Sequence, residues 1–288
     1  MWIDILNSFI YIALELTLLF VGISFLINLL QGVIPYERLE KRMETSHPLV
    51  SAGVAILFAF ITPFCSCSTI PIVVNLLHKK VRFGIVMIFL FASPVLDPTI
   101  LTLMTAVLGF KVAMVYTITT SLLSVLIGFA LEKLGFESQV KRVIMKGYQQ
   151  PVQRFDFKLA LAETIQLMKT VYPFLIIGAG IGAIIHGAVP TEWITTYMGD
   201  NHWWLVPIAA IIGIPLYIRL STMIPISQMM IAKGMALGPV MALMISSAGA
   251  SLPEITLLNS IFKKRLVFAF IGSVFTMSTM SGFLFYIL

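Results

Sequence analysis

Residues 50–77 read VSAGVAILFAFITPFCSCSTIPIVVNLL, without one Asp, Glu, Lys or Arg. A helix needs only about 20 such residues to cross the hydrocarbon core of a bilayer. The stretch therefore belongs in a membrane. It does not read as one smooth helix, because Pro63 and Pro71 bracket Cys65-Ser66-Cys67-Ser68-Thr69, and each proline removes a helical amide and clashes with the preceding turn. Two half-helices with unwound chain between them are expected. In hydrocarbon the freed amides and carbonyls need partners, so such chain persists only where it is buried in protein or lines a wet cavity. That requirement makes the break a candidate site.

The rest of the chain repeats the pattern. Leu16 to Tyr36, Val112 to Leu131, Thr170 to Thr191 and Leu266 to Leu288 are equally free of charge. Across 288 residues, 59% are hydrophobic and 11% charged, with a mean hydropathy of +0.99, against roughly 25% charged in an ordinary soluble domain. An all-α polytopic membrane protein is the fold class this implies. The net charge of +6 could suggest nucleic acid, but the basic residues sit in short loops and one linker instead of a continuous basic face with aromatics. They fit the positive-inside rule. The start, Met1-Trp2-Ile3-Asp4, lacks a basic n-region, so the first apolar segment is expected to stay in the membrane. The two cysteines, one residue apart, exclude a disulfide-built fold.

Composition changes between Leu131 and Leu159, where Lys133, Lys141, Arg142, Lys146, Arg154 and Lys158 gather around Gly135, Gly147 and Pro151. This predicts a first membrane unit at 1–131, a cytoplasmic linker at 132–158 and a second unit at 159–288. The units resemble each other. Gly32, Pro35, His47 and Pro98 recur 155 residues later as Gly187, Pro190, His202 and Pro253, while Pro71 and Gly84 recur 154 later as Pro225 and Gly238. Internal duplication is the common construction of secondary transporters. Each unit opens with a long span, about 5–34 and 162–189, followed by a loop and a broken segment, 49–78 and 203–232. In the second broken segment Pro215 and Pro225 bracket Ile218-Arg219-Leu220-Ser221-Thr222. The third segments look interrupted too, at Ser93-Pro94-Val95-Leu96-Asp97-Pro98 and at Ser246 to Glu254, which contains Pro253.

Four spans per unit give eight, with both termini and the linker cytoplasmic and the loops at 36–48 and 191–202 outside. That count leaves Lys263, Lys264 and Arg265 outside, against the positive-inside rule. Eight is the expected count; making each third segment a re-entrant hairpin or two crossings gives ten as the alternative. Whether the units are parallel or inverted depends on the parity of crossings, which the sequence leaves open.

The run Pro63-Phe64-Cys65-Ser66-Cys67-Ser68-Thr69-Ile70-Pro71, with Ser221-Thr222-Met223-Ile224-Pro225 and Ser93-Pro94-Val95-Leu96-Asp97-Pro98, resembles the predicted-permease family that contains the arsenical efflux (ArsP-like) and the YraQ-like permeases. The resemblance covers nearly the whole chain. It implies a multi-pass permease in the cell (inner) membrane of a bacterium or archaeon, with trivalent organoarsenical efflux known for some members. Cys65 and Cys67 would be the thiol-bearing positions, although the doubled cysteine looks closer to the branch without an assigned substrate. Thiolate is the soft ligand that suits trivalent arsenic; buried cysteine also serves as a small apolar filler. No structural metal site is expected, because His47, His78, His186 and His202 lack ligand spacing, and no cofactor is implied.

Arg219 lies within apolar sequence, where a charge at a helix centre costs about 2.5–3.5 kcal/mol. It should face the bundle interior, a carboxylate or a wet cavity, and with Cys65, Ser66, Cys67, Ser68, Thr69, Ser221 and Thr222 it forms the expected solute site. A snorkelling or purely structural arginine is the alternative. Asp97 and Glu254 flank the matching prolines Pro98 and Pro253 and are candidates for ion coupling or for pairing with Arg219. Without a Gly-x-x-x-x-Gly-Lys-Ser/Thr loop, the drive falls to a gradient or a partner. The expected partners are lipid and a small solute, without nucleic acid, and a homo-oligomer is left open. A competing reading is a membrane thiol-disulfide relay, which needs a reversible thiol pair that the second unit does not supply. Nothing suggests an enzyme otherwise.

Overall fold

A computed structural model describes residues 47–61, 66–78, 81–141, 202–216 and 234–287, with Ile10, Leu14, Leu18, Ile165 and part of 223–231. Among these residues the chain is helical. In order come α1 (Pro48–Ile61), α2 (Ser66–His78), α3 (Phe83–Ala92), α4 (Pro98–Leu108), α5 (Phe110–Lys133), α6 (Leu205–Gly213), α7 (Leu237–Gly249), α8 (Leu252–Ile261) and α9 (Lys264–Ile287), with a 3-10 turn at Phe136–Gln139. The described positions from Met223 to Ile231 are helical as well.

Two helices, α5 and α9, are long and apolar enough to cross a membrane, and α7 with α8, bent by 42° at their junction, pass the same test as a pair. Their surfaces agree with a lipid solvent. On α5 an exposed apolar row runs through Phe110, Met114, Ile118, Leu122 and Leu126, every fourth residue and hence one stripe of the helix. Its opposite face, with Tyr116, Thr120, Ser124 and Gly128, is buried.

The short helices pair end to end beside the long ones. Arg82, just before α3, meets Glu132 near the end of α5 through Nη2–Oε1 at 3.1 Å, so α3 runs antiparallel to α5. Their backbones approach closely: a Cβ on Gly128 would lie 2.8 Å from the Gly84 carbonyl oxygen and 2.5 Å from Ile88 Cγ1. After the turn at Ser93–Val95, α4 covers the other part of α5 and joins its start through Gly109, whose φ of 94° suits glycine. The same arrangement recurs at α7, α8 and α9, where a Cβ on Gly238 would fall 2.6 Å from the Gly282 carbonyl oxygen. Helices α3 and α7 begin at 83 and 237, α4 and α8 at 98 and 252, α5 and α9 at 110 and 264. Each pair is 154 residues apart.

Packing divides into two hydrophobic clusters. One joins α1, α2 and α3 to Leu131 of α5, to Leu257, Leu258 and Ile261 of α8, and to the start of α9. The other joins α6, α7, Met223, Ile224 and Met230 to Met104 of α4, the first half of α5, and Met277 and Phe285 of α9. Helices of the two halves of the chain are thus interleaved.

Two expectations change. Lys263, Lys264 and Arg265 do not stand at the opposite end from the linker, as the eight-span count required. Val140 and Phe262 form an antiparallel bridge, Lys263 N–H donates to the Gln139 carbonyl at 2.8 Å and Lys141 N–H to the Ile261 carbonyl at 3.0 Å. The basic cluster therefore lies beside the start of the linker. Secondly, Pro71 does not close the first break. Helix α2 begins at Ser66 and runs through Pro71; the lost amide is tolerated in a helix whose Thr69, Ile70 and Val73 are fully buried, so tertiary packing outweighs one missing bond. The expected long spans at 5–34 and 162–189 lie outside the described residues, apart from the four exposed helical positions in them.

Candidate functional site

Of the solute site expected from sequence, the described residues include Ser66, Cys67, Ser68 and Thr69, at the start of α2. Ser66, Cys67 and Ser68 form the first turn of that helix. One residue further, buried Thr69 and buried Ser93 share a hydrogen bond, Oγ1 to Oγ at 2.7 Å, in which either hydroxyl can donate. Ser93 is the C-terminal cap of α3, its own N–H bonded to the Phe89 carbonyl at 3.0 Å. The hydrogen bond therefore ties the cysteine-bearing helix of the first broken segment to the break in the third segment. Both hydroxyls have left water, where an unmet polar group costs about 1–3 kcal/mol, so each holds the other in place.

Helix α8 packs against α2 from the second half of the chain. It brings Glu254, 1% exposed, in its first turn. Ser251 precedes the helix with extended backbone, and Pro253 occupies its opening turn, where the missing amide had no helical partner in any case. A carboxylate in the first turn also faces the free amides of the helix start. Asp97 stands at the matching place before α4, partly exposed, its carbonyl accepting the Leu101 N–H at 3.0 Å. Pro94 lies in the turn between α3 and α4, Pro98 opens α4, and Pro215 follows α6 in a turn. The third segments thus break where Pro94, Pro98 and Pro253 placed the interruptions.

Cys65, Arg219, Ser221, Thr222, Pro63 and Pro225 lie outside the described residues. Ser93 was not among the residues expected to act. Its signal was a small polar side chain directly before Pro94 inside an apolar helix, where it can serve both as a cap and as a partner across the bundle. Among the described residues no three of His, Cys, Asp and Glu gather as a metal site would require.

Long apolar helices and an exposed apolar stripe define the class: an α-helical integral membrane protein. The chain matches the model of the predicted-permease family over residues 1–287, and it belongs to that family. It is 23% identical to a UPF0718 protein of Methanocaldococcus jannaschii, with 82% of this chain and 81% of the relative covered. The same identity relates it to the UPF0718 protein YraQ of Escherichia coli, covering 83% of this chain and 68% of the relative. A protein of Streptococcus mutans whose name makes it a subunit of a two-component membrane permease complex is also 23% identical, over 74% of this chain and 72% of its own length. No solved structure matches the chain.

Proposed function

We propose that this membrane permease is a secondary transporter. It moves a small thiophilic solute, such as a trivalent organoarsenical, outward through a central site built from two proline-broken segments of duplicated units. The Thr69–Ser93 hydrogen bond is the observation that supports this most directly, because inside an otherwise apolar bundle it joins the cysteine-bearing helix α2 to the interruption after α3. Unwound chain at such a place needs a polar surround, and a solute pathway supplies one. The 154-residue offset between the starts of three helix pairs supports duplication, the usual basis for a site at a repeat interface.

Cys65 and Cys67 would bind the solute. Each thiol would give up its proton as a sulfur–arsenic bond replaces an arsenic–hydroxyl bond, the hydroxyl leaving as water. Ser66, Ser68, Thr69, Ser221 and Thr222 would line the path, and Arg219 would favour the thiolate form of its neighbours. Asp97 and Glu254 would carry the coupling ion; Glu254, buried in the first turn of α8 against α2, is the better placed of the two.

Transport into proteoliposomes tests the proposal. Wild-type protein should move a trivalent organoarsenical, and C65S/C67S should lose at least tenfold of that rate while reconstituting normally. Undiminished arsenical transport without either thiol removes the thiophilic site. Glu254→Gln should abolish the response to an imposed proton gradient while sparing solute exchange at equal pH, and an unchanged gradient response removes the coupling role.

A further inference from the structure

We infer that the chain is an inverted pair of membrane units. Each crosses the bilayer three times and carries one re-entrant hairpin, with α1–α2 entering from the cytoplasmic face and residues 205–231 entering from the outer face.

The long helices give the relation between units. All seven buried positions of α5 are matched by a buried residue of α9 exactly one 154-residue offset later: Tyr116 by Phe270, Ser124 by Ser278, Gly128 by Gly282 and Leu131 by Phe285 among them. The two helices run antiparallel. The chain leaving α5 pairs with the chain entering α9 at Val140 and Phe262, Leu131 shares a cluster with Leu266 and Val267, and Ala113 and Tyr116 share the other with Met277 and Phe285. Where they cross, Ser124 Oγ lies 3.9 Å from Met277 Sδ; the counterparts of these two residues are Ser278 and Leu123. Near-equivalent residues meeting at an antiparallel crossing mark a two-fold axis perpendicular to both helices. At 24 residues each, or about 36 Å, they stand across the bilayer, so that axis lies in its plane. Parallel repeats would have placed like ends together.

The second hairpin is traced by depth along α7 and α9. A Cβ on Gly282, near the end of α9, would lie 2.6 Å from Val206 Cγ1 and 2.8 Å from Ala242 Cβ. Val206 at the start of α6 is therefore level with the start of α7. Gly213 at the end of α6 is level with Leu243, whose carbonyl oxygen its Cβ would approach to 2.8 Å. Helix α6 thus descends to mid-depth. The chain is back at the starting level by Met235, whose N–H donates to the Met230 carbonyl at 3.1 Å just before α7 begins. Gly213 and Met235 thus lie at different depths, the second back at the level where α6 began. In the first unit Phe58, near the end of α1, packs on Phe89 with ring centroids 5.2 Å apart, and Thr69 near the start of α2 meets Ser93. Helix α2 then returns to the level of Arg82, with Val81 N–H bonded to the Leu76 carbonyl at 3.1 Å. Since α1 packs along α3 and shares its cluster, both arms occupy the same half of the bundle.

Charge orients the whole. Arg82, Glu132 and Lys133 stand at one end of α5, joined there by Lys141 and by Lys263, whose Nζ donates to the Ser138 carbonyl at 3.1 Å; Lys264 and Arg265 follow directly. At the other end of α5 stands Lys111. The basic end is cytoplasmic by the positive-inside rule, and the end of α9 is then outside. Counting the uncharged segments at 16–36 and 170–191 as one crossing each gives three crossings per unit, the odd number that inversion requires. For a permease, two hairpins of opposite sense bring both broken segments to mid-depth from opposite solvents. That consequence rests on the transport reading, whereas the orientation does not.

Reporter fusions and side-specific labelling in cells test it. Alkaline phosphatase fused after Ile287 should be active and green fluorescent protein at the same point dark. The exposed positions His47, Lys111, His202 and Lys264 are changed singly to Cys and treated with a membrane-impermeant maleimide, labelling being read at each site by peptide mass so that native cysteines do not interfere. Lys111→Cys and His202→Cys should label in intact cells, and His47→Cys and Lys264→Cys only after permeabilisation. A fluorescent fusion at 287, or His47→Cys and His202→Cys labelling from the same face, overturns the inference. Neither readout involves solute movement, so loss of the transport reading would leave these results unchanged, and the reverse.

Discussion

The crossing of α3 with α5 and the crossing of α7 with α9 use the same small residues at the same spacing, yet they are finished differently. At the first, Gly84 and Gly128 let the backbones meet, and the end is closed by the Arg82–Glu132 ion pair. At the second, Gly238 and Gly282 do the same work, but Gly238 is overhung by Tyr286 and the neighbouring end residues are apolar. The interior differs as well. Ser93 reaches out of its helix to Thr69, whereas Ser247, one offset later, turns back to the Met244 carbonyl of its own helix at 3.1 Å. Phe270 of α9 stacks on Phe91 with centroids 4.8 Å apart, while its counterpart Tyr116 buries a hydroxyl that meets no hydrogen-bond partner. The shared glycines are a packing requirement, and the polar differences are where the two halves have room to specialise.

The largest expected effect breaks what is shared. Gly128→Leu and Gly282→Leu each drive a side chain into a neighbouring carbonyl, beyond the ordinary overpacking cost of about 1–3 kcal/mol, because backbone is harder to move than a side chain. Both variants should fail to give a monodisperse peak after detergent extraction, and a well-folded Gly282→Leu would show that the second crossing is looser than the first. Next comes what is unique to the first half. Thr69→Val leaves the Ser93 hydroxyl unmet and should cost about 1–3 kcal/mol, read as a lowered Tm. Ser247→Ala, which loses only a bond within its own helix, should cost less. Equal losses would mean that the Thr69–Ser93 link adds nothing specific to the first half.

How far the sequence could be read follows the same division. The interruption of the third segments was legible because Pro94, Pro98 and Pro253 are local constraints on the backbone. Pro71 misled for the complementary reason: its local penalty was real, but burial of Thr69, Ile70 and Val73 around it carries α2 through. The family was legible in the Pro-Phe-Cys-Ser-Cys-Ser-Thr-Ile-Pro run. The company kept by Lys263 was only half legible: the positive-inside rule argued against placing it opposite the linker, but hydropathy does not count crossings, and its place beside the linker came from the pairing of Val140 with Phe262. The offset of 154 from Gly84 to Gly238 was visible; carried into the fourth segment it would have found Gly128 and Gly282, which a uniformly apolar run conceals.

Two smaller effects sharpen the comparison. Tyr116→Phe removes a buried hydroxyl without a partner and makes the two long helices alike at this position, so it should raise stability by about 1 kcal/mol, seen as a Tm a few degrees higher. A lower Tm would mean that the hydroxyl is used. Arg82→Ala should change stability least. The arginine is 44% exposed, and an exposed pair is worth about 0–1 kcal/mol. Its contribution belongs instead to orientation, as one positive charge among several at the end shared by α3, α5 and α9. Removing Arg82 alone should leave a reporter after Ile287 on its original side. Changing Lys263, Lys264 and Arg265 together to Ala should yield a mixed population of reporters, because those residues set the direction in which α9 inserts. A fully oriented triple variant would mean that direction is fixed earlier in the chain, by packing of the first unit instead of by charge beside the last helix.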